Sequence, residues 1–537
     1  MDKEFLKEVL FPYDEVREYQ DTMIRDVYDS IRKGQDIIMH APTGVGKTAS
    51  VLGPALAHAI KEDLTVVFLT SRHMQHQIVI KTLKEIKEKF GESFGCCDLV
   101  GKKWMCLQGG IDFMNSGDFH QFCKGLKEEE GCEYYSKTKT KMNLATVESK
   151  VALDEIKNSS PCSVQQIMDI GEKSGLCPYE LAILAGDKSK VIISDYYYFF
   201  NDAIRQNFLY KVNKDLGKCI LIIDEGHNLP ERIRGLLTNK LTSFMIERSL
   251  KEAKKFEMSD AIINLNIIND SLISLEKNMV GTNQKLVKRS DFYDQINVKK
   301  GFQKVIDELD SVGEEIIEKQ KMSSILSIVR FLEHWLVEGD SFSRILKKDI
   351  EKNNLTLVLK CLSPEILSRE AIGDAYCSVL MSGTLTPTSM YKDILGFSND
   401  VVEKEYQSPF PKENRLVMVV PSATTKYSQR SDLQFQKIAE ICGDICKRVK
   451  GNSLIFFPSY YLMERVRDYF VKNCDSKVFM EKRSLSKSEK ETFIEIFKGE
   501  KDAVLLAVSS GNFGEGLDMP GVLKSVIVVG LPLQVPD

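Results

Sequence analysis

Short runs of apolar, often β-branched residues recur between residues 36 and 385, and each run passes into a turn-forming or polar stretch. Such runs are typical of strands that are buried on both faces of a parallel sheet. Segments with helical spacing separate several of them, which predicts a doubly wound α/β fold with ligands at the carboxyl ends of the strands. The runs are DIIMHAP (36–42), TVVFLTS (65–71), KVIISDYYYFF (190–200), CILIIDEGHN (219–228) and CSVLMSGTL (377–385).

Three later runs, NSLIFFPSY (452–460), DAVLLAVSSGNF (502–513) and SVIVVGLPL (525–533), predict a second sheet of the same kind. Two stretches interrupt the first sheet, one charged and rich in cysteine, the other rich in Lys, Glu, Ile and Leu at helical spacing. We therefore expect two folded insertions in the first sheet domain. The predicted boundaries are 1–95, 180–232 and 355–400 for the first sheet domain, 96–179 and 233–354 for the insertions, and 401–537 for the second sheet domain.

Composition and charge narrow the class of protein. No apolar run reaches the roughly 18 residues of a membrane helix, and the amino terminus lacks the apolar core of a signal peptide, so we expect a soluble intracellular protein. A net charge of -4 argues against general attraction to polyanions but allows a local basic groove. Seven of the 13 cysteines lie between residues 96 and 177, which in a reducing compartment favours a metal site over disulfides.

The segment APTGVGKT (41–48) follows a predicted buried strand and precedes a helical pattern, as a P-loop does. Gly44 and Gly46 let backbone amides turn toward phosphates, Lys47 reaches the β and γ phosphates, and the Thr48 hydroxyl binds magnesium. Ala41 replaces the first glycine of the motif, at the position of least demand. The candidate phosphate-binding residues are Thr43, Gly44, Val45, Gly46, Lys47 and Thr48.

A second motif, LIIDEGHN (221–228), places two carboxylates at the end of an apolar strand. Asp224 is expected to hold magnesium, and Glu225 to orient or deprotonate the attacking water. His227 is expected to relay the state of the site. Together with the P-loop, this motif predicts ATP hydrolysis that depends on Mg²⁺, with Lys47, Asp224, Glu225 and His227 as the catalytic set.

Six motifs occur in a fixed order and together resemble the superfamily 2 DNA helicases of the xeroderma pigmentosum group D (XPD) and DinG class. They are APTGVGKT, DEGH, SGTLTP (382–387), IFFPSY (455–460), GNFGEGLDMPG (511–521) and VGLPL (529–533). The resemblance covers nearly the whole chain outside the helical insertion. It implies two RecA-like motor domains, a cysteine-bound cluster domain at 96–179 and a helical arch at 233–354.

The resemblance also implies the residues around the nucleotide base. FPYDEVREYQ (11–20) resembles the segment that reads adenine, with Gln20 as its hydrogen-bonding residue and Phe11 or Tyr13 as a stacking partner. Glu515 and Asp518 resemble the contribution of the second motor domain to the nucleotide cleft.

The resemblance also bears on two further motifs, SGTLTP and DEGH. Ser382, Gly383 and Thr384 resemble the element that couples hydrolysis to domain motion. Gly226 stands where the family usually has alanine, an exchange that we expect the fold to tolerate.

The resemblance singles out Cys106, Cys123, Cys132 and Cys177 as ligands of a [4Fe-4S] cluster, because KKWMC and LCPYE resemble its flanking segments. The spacing of the cysteines alone leaves zinc, iron-sulfur and plain buried thiols open. Cys96, Cys97 and Cys162 are nearby alternatives, with Cys162 the first substitute.

DNA contacts are expected from three segments. TSRHMQHQ (70–77) resembles a phosphate-binding motif, and TTKYSQRSD (424–432) resembles the opening of the second motor domain. In SDYYYFF (194–200), alternation sends half of the tyrosines into the core, so one or two face DNA at most. The basic run SKTKTK is either a DNA contact or a solvated face. The candidate DNA contacts are Thr70, Ser71, Arg72, Tyr196, Tyr427 and Arg430.

The resemblance implies an ATP-dependent helicase that moves from 5′ to 3′ on single-stranded and forked DNA in nucleotide excision repair. We expect a monomer, with repair or transcription-factor proteins as partners, in the cytoplasm of a prokaryote or the nucleus of a eukaryote. A DinG-type helicase of another pathway, an ATP-gated DNA-binding scaffold and a redox sensor are the alternatives.

The family also has a QxxGRxxR helix after the region that VGLPLQVPD (529–537) resembles, and this helix supplies an arginine to the ATP site. These 537 residues do not contain it. We therefore expect that they form part of a longer helicase and that, in isolation, they bind ATP but hydrolyse it poorly.

Overall fold

The computed structural model describes residues 2–70, 73–277, 279, 282–320, 322–349, 351–485, 487–514, 519 and 521–531. The chain divides into two compact units, Met1–Phe410 and Pro411–Asp537. No helix in the described ranges is long and apolar enough to cross a membrane. The strands are β1 Ile37–His40, β2 Thr65–Leu69, β3 Gly95–Asp98, β4 Ser189–Ser194, β5 Cys219–Asp224, β6 Asn239–Thr242, β7 Gln284–Leu286, β8 Phe342–Asp349, β9 Asn354–Cys361, β10 Cys377–Ser382, β11 Val402–Glu405, β12 Asn452–Phe457, β13 Val478–Met480, β14 Val504–Val508 and β15 Leu523–Val528.

Helices connect these strands in both units. In the first unit they are α1 Lys3–Glu8, α2 Gln20–Arg32, α3 Lys47–Lys61, α4 His73–Phe90, α5 Ser116–Glu128, α6 Glu133–Thr138, α7 Val147–Ser159, α8 Val164–Ser174, α9 Pro178–Gly186, α10 Tyr197–Phe200, α11 Asp202–Lys211, α12 Leu229–Leu237, α13 Ser243–Lys255, α14 Ser259–Glu276, α15 Arg289–Lys300, α16 Phe302–Gln320, α17 Ile325–Trp335, α18 Glu365–Gly373 and α19 Thr388–Leu395. In the second unit they are α20 Asp432–Arg448, α21 Tyr460–Asn473 and α22 Lys487–Gly499.

The first unit is built on a parallel sheet with the strand order β11-β1-β10-β5-β2-β4-β3. Alternate residues of β2 pack into two different core clusters, Val67 and Leu69 into one and Val66 and Phe68 into the other. Both faces of the sheet are therefore covered, which confirms the doubly wound α/β fold. The sheet continues to Glu405, because β11 pairs with β1, so the first unit ends ten residues beyond the predicted boundary at 400.

The second insertion is a helical domain that also contains a sheet. Five helices, α13 to α17, pack around a core that includes Trp335, Phe292 and Phe331. Beside them lies an antiparallel sheet with the order β6-β9-β8-β7, whose longest pairing joins β8 to β9. The insertion expected to be helical thus contains a four-stranded sheet as well as its helices. The apolar pattern of the sequence did not indicate these strands, because their residues are mostly half-buried and several are charged. An example is β8, with the sequence FSRILKKD.

The second unit contains a smaller parallel sheet with the order β13-β14-β12-β15. All three apolar runs predicted for this region form strands of the sheet, as β12, β14 and β15. Helices α20 and α21 pack against it through a cluster that includes Phe435, Val466 and Phe470. The chain thus has two parallel α/β sheets, as predicted.

Candidate functional site

The P-loop lies between β1 and α3, and its two glycines are required by close contacts. Gly44 has φ +94° and Gly46 has φ +87°, a region that favours glycine. A Cβ atom at Gly44 would lie 2.6 Å from the ring of Phe410, and one at Gly46 would lie 2.4 Å from Nε2 of Gln20. The positive φ values favour glycine at both positions, and any other side chain would also require Phe410 or Gln20 to move.

Two side chains of the segment 11–20 donate hydrogen bonds to the P-loop. Arg17 Nη1 donates to the carbonyl of Gly44 at 2.9 Å, and Gln20 Nε2 donates to the carbonyl of Gly46 at 3.3 Å. Gln20 is 1% exposed, and its Oε1 accepts a hydrogen bond from the backbone N–H of Arg17 at 3.0 Å. Arg17 was not singled out from the sequence, although it lies in the same motif.

The two candidate stacking residues have different environments. Tyr13 is 40% exposed, and its hydroxyl donates to Glu85 at 2.8 Å. Phe11 is fully buried in a small cluster with Leu6 and Ile24. The structure corrects the expectation for Phe11, because a ring without exposed surface has no face to offer to an adenine.

The carboxylates of DEGH lie beside the P-loop at the carboxyl end of β5. The neighbouring strand β10 ends in Ser382, whose hydroxyl donates to Glu225 Oε2 at 3.0 Å and lies 2.7 Å from Nδ1 of His227. His227 Nδ1 is also 3.4 Å from Glu225 Oε2. The backbone N–H of Ala41, in the P-loop, donates to the carbonyl of Ser382 at 2.9 Å. Three motifs that are distant in sequence therefore meet at one edge of the sheet.

Burial and neighbouring charges give the two carboxyls opposite pKa shifts. Burial, reinforced by the charge of Glu225, raises the pKa of Asp224 to about 7, while Lys47 acts to lower it. Burial also acts to raise the pKa of Glu225, but a hydrogen bond from His227, the charge of Lys47 and a hydrogen bond from Ser382 hold it below its usual value. Glu225 is therefore the ionised carboxylate at neutral pH. A divalent cation at Asp224 would favour its ionised form as well.

Glu225 has a left-handed backbone conformation, φ +51°, which is uncommon for a residue with a side chain and often marks a functional turn. The hydroxyl of Tyr196 donates to the carbonyls of Asp224 and Glu225, the latter at 3.1 Å. Tyr196 is 1% exposed. The structure thus corrects its expected role as a DNA contact: it supports the DE turn from within the core.

Gly226 is packed against the neighbouring strand. A Cβ atom at this position would lie 2.3 Å from Cδ1 and 2.9 Å from Cγ of Leu380, which is fully buried in β10. Glycine in place of the usual alanine is therefore accommodated here, because the side chain of Leu380 occupies the space that a methyl group would need.

The four cysteines that the family resemblance implied, Cys106, Cys123, Cys132 and Cys177, line one small cavity. Burial raises the pKa of Cys177 to about 12, and burial together with the neighbouring Cys123 and Cys132 raises the pKa of Cys106. Thiols in this state become thiolate ligands when a metal displaces their protons. Four convergent thiols are a suitable donor set for zinc or for an iron-sulfur cluster. In the described part of the chain, no group of three or more His, Cys, Asp or Glu side chains is arranged closely enough to hold a metal ion.

The three alternative cysteines lie elsewhere. Cys96 and Cys97 are buried in β3, where the thiol of Cys97 donates to the carbonyl of Ala182 at 3.1 Å. Cys162 is fully buried in the core of the first unit. None of the three lines the cavity of the four thiols.

Comparison with known proteins adds independent information. The DEAD_2 family matches residues 68–246, the helicase C-terminal domain matches 442–537 and the DEAD/DEAH box helicase family matches 17–112. The ATP-dependent DNA helicase XPD of Sulfolobus acidocaldarius is 26% identical over 97% of this chain and 86% of its own length. The chain is therefore similar to XPD-type helicases of superfamily 2 over nearly its whole length.

More distant relatives agree with this assignment. The XPD/RAD3 helicase subunit of general transcription and DNA repair factor IIH from Saccharomyces cerevisiae is 20% identical over 98% of this chain and 80% of its own length. A solved XPD helicase structure has the same fold, with a TM-score of 0.63 and 22% identity over 97% of this chain and 86% of that one. The two parallel sheets thus have the fold of the two RecA-like domains of that structure.

The remaining candidate DNA contacts differ in their exposure to solvent. Tyr427 is 85% exposed, and the guanidinium of Arg430 lies 5.3 Å from its ring centre. Thr70 is fully buried and its hydroxyl donates to Gln75, which corrects the expectation of a phosphate contact by its side chain. Tyr197, beside Tyr196, is 44% exposed. Four predicted site residues lie outside the described residues, namely Ser71, Arg72, Glu515 and Asp518.

Proposed function

We propose that this XPD-type helicase uses ATP hydrolysis to move from 5′ to 3′ along single-stranded DNA and opens forked DNA in nucleotide excision repair. The observation that carries the proposal is the meeting of the P-loop, the DEGH carboxylates and Ser382 at one sheet edge. The names of the relatives, a DNA helicase and a subunit of a transcription and repair factor, support the substrate and the pathway.

In this proposal Lys47 binds the β and γ phosphates, and the Thr48 hydroxyl and Asp224 hold Mg²⁺, which when bound neutralises charge that develops on the phosphates. Glu225 is ionised and fixed by Ser382 and His227, so it can orient the attacking water and accept its proton. Because Ser382 also bonds to the P-loop, it links the hydrolytic carboxylate to the nucleotide.

We further propose that Cys106, Cys123, Cys132 and Cys177 bind a [4Fe-4S] cluster. Their common cavity and the resemblance of the segments KKWMC and LCPYE to cluster-flanking segments support this assignment. Iron and sulfide analysis with an absorbance spectrum of anaerobically purified protein tests it. Stoichiometric zinc without iron would contradict it.

Tyr427 and Arg430 are proposed to contact single-stranded DNA, since an exposed ring and a guanidinium suit base stacking and phosphate contact. Ser71, Arg72, Glu515 and Asp518 remain proposed contacts on the strength of the family resemblance. We propose that the protein acts as a monomer.

A strand-displacement assay on a 5′-tailed DNA duplex tests the helicase function. Lys47→Ala should abolish ATP-dependent displacement, whereas Lys61→Ala, at the exposed end of the same helix, should have little effect. Displacement that starts from a 3′ tail would contradict the proposed direction. ATP-dependent DNA binding without displacement would instead support a scaffold, and a preference for RNA–DNA hybrids would favour a DinG-type role.

A further inference from the structure

The four cysteines of the cavity belong to four separate segments, and each segment has a charged residue a short distance away. Lys102 precedes Cys106 by four residues, and Lys127 follows Cys123 by four. Lys139 follows Cys132, and Glu180 follows Cys177 by three residues in the first turn of α9. Lys127, Lys139 and Glu180 form one ion-pair network, and Lys102 and Lys127 line the cavity of the thiols.

Glu180 is the centre of this arrangement. Its side chain is 2% exposed, yet it carries a carboxylate between two cations. Lys127 Nζ lies 2.6 Å from Oε1, and Lys139 Nζ lies 2.9 Å from Oε2. A buried carboxylate that is satisfied on both oxygens fixes the two segments that supply its partners.

The neighbouring residue, Tyr179, contacts the remaining cysteine segment, which carries Lys102 and Cys106. Lys102 Nζ lies 5.3 Å from the centre of the Tyr179 ring, and Lys127 Nζ lies 3.8 Å from the ring of Tyr135. Tyr179, Tyr135, Lys102 and Lys127 all line the cavity of the thiols. The charged network therefore shares residues with the lining of the thiol cavity.

Lys139 belongs to the basic run SKTKTK, for which the sequence left DNA binding or a solvated face open. Its side chain is 8% exposed and is committed to Glu180. Lys139 is therefore neither a DNA contact nor part of a solvated face. Its neighbour Lys141, by contrast, is 85% exposed and pairs with Glu130 at the surface.

We propose that Glu180, with Tyr179, is a positioning centre that holds the four cysteine segments together and sets the spacing of Cys106, Cys123, Cys132 and Cys177. Capture and retention of the cofactor then depend on residues that do not bind it. This inference rests on the cofactor proposed above. Partners of metal-binding groups commonly alter metal affinity by about 10- to 100-fold when they are replaced.

The test compares Glu180→Gln and Lys139→Met with the wild type and with the control Lys124→Met. Lys124 lies on α5, one position after Cys123, is 65% exposed and pairs with the exposed carboxylate of Glu128. Iron content is measured after purification, and the rate of iron release is measured with a chelator. Circular dichroism confirms that each variant is folded.

We expect iron release to be about 10- to 100-fold faster in Glu180→Gln and Lys139→Met, and unchanged in the control. Release at the wild-type rate in both folded variants would overturn the proposal. If the wild type itself contains no iron, the cofactor assignment fails separately. The positioning role is then tested by the rate at which the four thiols react with a thiol reagent, and equal rates in wild type and Glu180→Gln would overturn it.

Discussion

Replacing Gly226 with alanine would place a methyl group in the space of Leu380. The Cβ atom would lie 2.3 Å from Cδ1 and 2.9 Å from Cγ of that side chain. Leu380 is fully buried in β10, between β1 and β5, so it has little room to move. Overpacking of this kind costs about 1–3 kcal/mol.

An opposing effect sets the net magnitude. Gly226 does not have a positive φ, so alanine is compatible with its backbone and on its own would stabilise the fold by about 0.4–1 kcal/mol. We therefore expect Gly226→Ala to lower the free energy of unfolding by about 1–2 kcal/mol. Without the contact to Leu380, the same exchange would raise it.

Urea denaturation followed by circular dichroism measures the change, with two controls. Gly235→Ala, in α12, has no neighbour within 4 Å of the added atom and should leave stability unchanged or raise it. Leu380→Ala alone should cost about 2–5 kcal/mol, and the double variant should be more stable than the sum of the single effects by about 1–2 kcal/mol. Gly226→Ala that matches or exceeds the wild type, or strict additivity, would refute the reasoning.

Three other expectations follow from the site and the core. Ser382→Ala removes a hydrogen bond to ionised Glu225 that is worth about 1.5–3 kcal/mol. The rate of ATP hydrolysis should therefore fall about tenfold or more, while nucleotide affinity measured by fluorescence titration stays the same. An unchanged rate would show that Ser382 has no part in hydrolysis. Tyr196→Phe should cost about 1 kcal/mol of stability without weakening DNA binding. Tyr197→Ala should weaken DNA binding measured by fluorescence anisotropy, and the reverse pattern would show that Tyr196 contacts DNA. Burial raises the pKa of Asp36 to about 6, so the stability that its protonated form contributes is lost as the pH rises from about 4 to 6. In urea denaturation, Asp36→Asn should therefore be more stable than the wild type by about 2–3 kcal/mol at pH 8 and equally stable at pH 4. A gain in stability that does not depend on pH would contradict the raised pKa of this carboxyl.

The central strands of the fold could be predicted because their burial is complete. β2, β5 and β10 are buried at every position, so their sequences are continuous apolar runs. The edge strand β11, with the sequence VEKE, was missed because an edge strand exposes one side and carries charges there. The sheet of the second insertion was missed for the same reason, since short amphipathic strands resemble the surrounding helical pattern.

The candidate site could be predicted where chemistry fixes both residue type and spacing, as in the P-loop and DEGH. Positions that depend on distant partners could not. Whether Tyr196 faces DNA or the core depends on the turn after β4, and the crowding of Gly226 depends on Leu380, far along the chain. The four thiols illustrate both cases, because their identities came from the family resemblance while their meeting in one cavity is visible only in the folded chain.

The strand order also has a consequence for biosynthesis. β1, at residues 37–40, pairs on one side with β10, at 377–382, and on the other with β11, at 402–405. At a translation rate of about 5–20 residues per second, β1 leaves the ribosome roughly 20 to 70 s before its first partner. Both insertions are complete by then, so they can fold while the motor sheet still has open edges. The strand that leads into the P-loop is therefore among the last strands of the sheet to be paired on both sides, after nearly all of the first unit has been made.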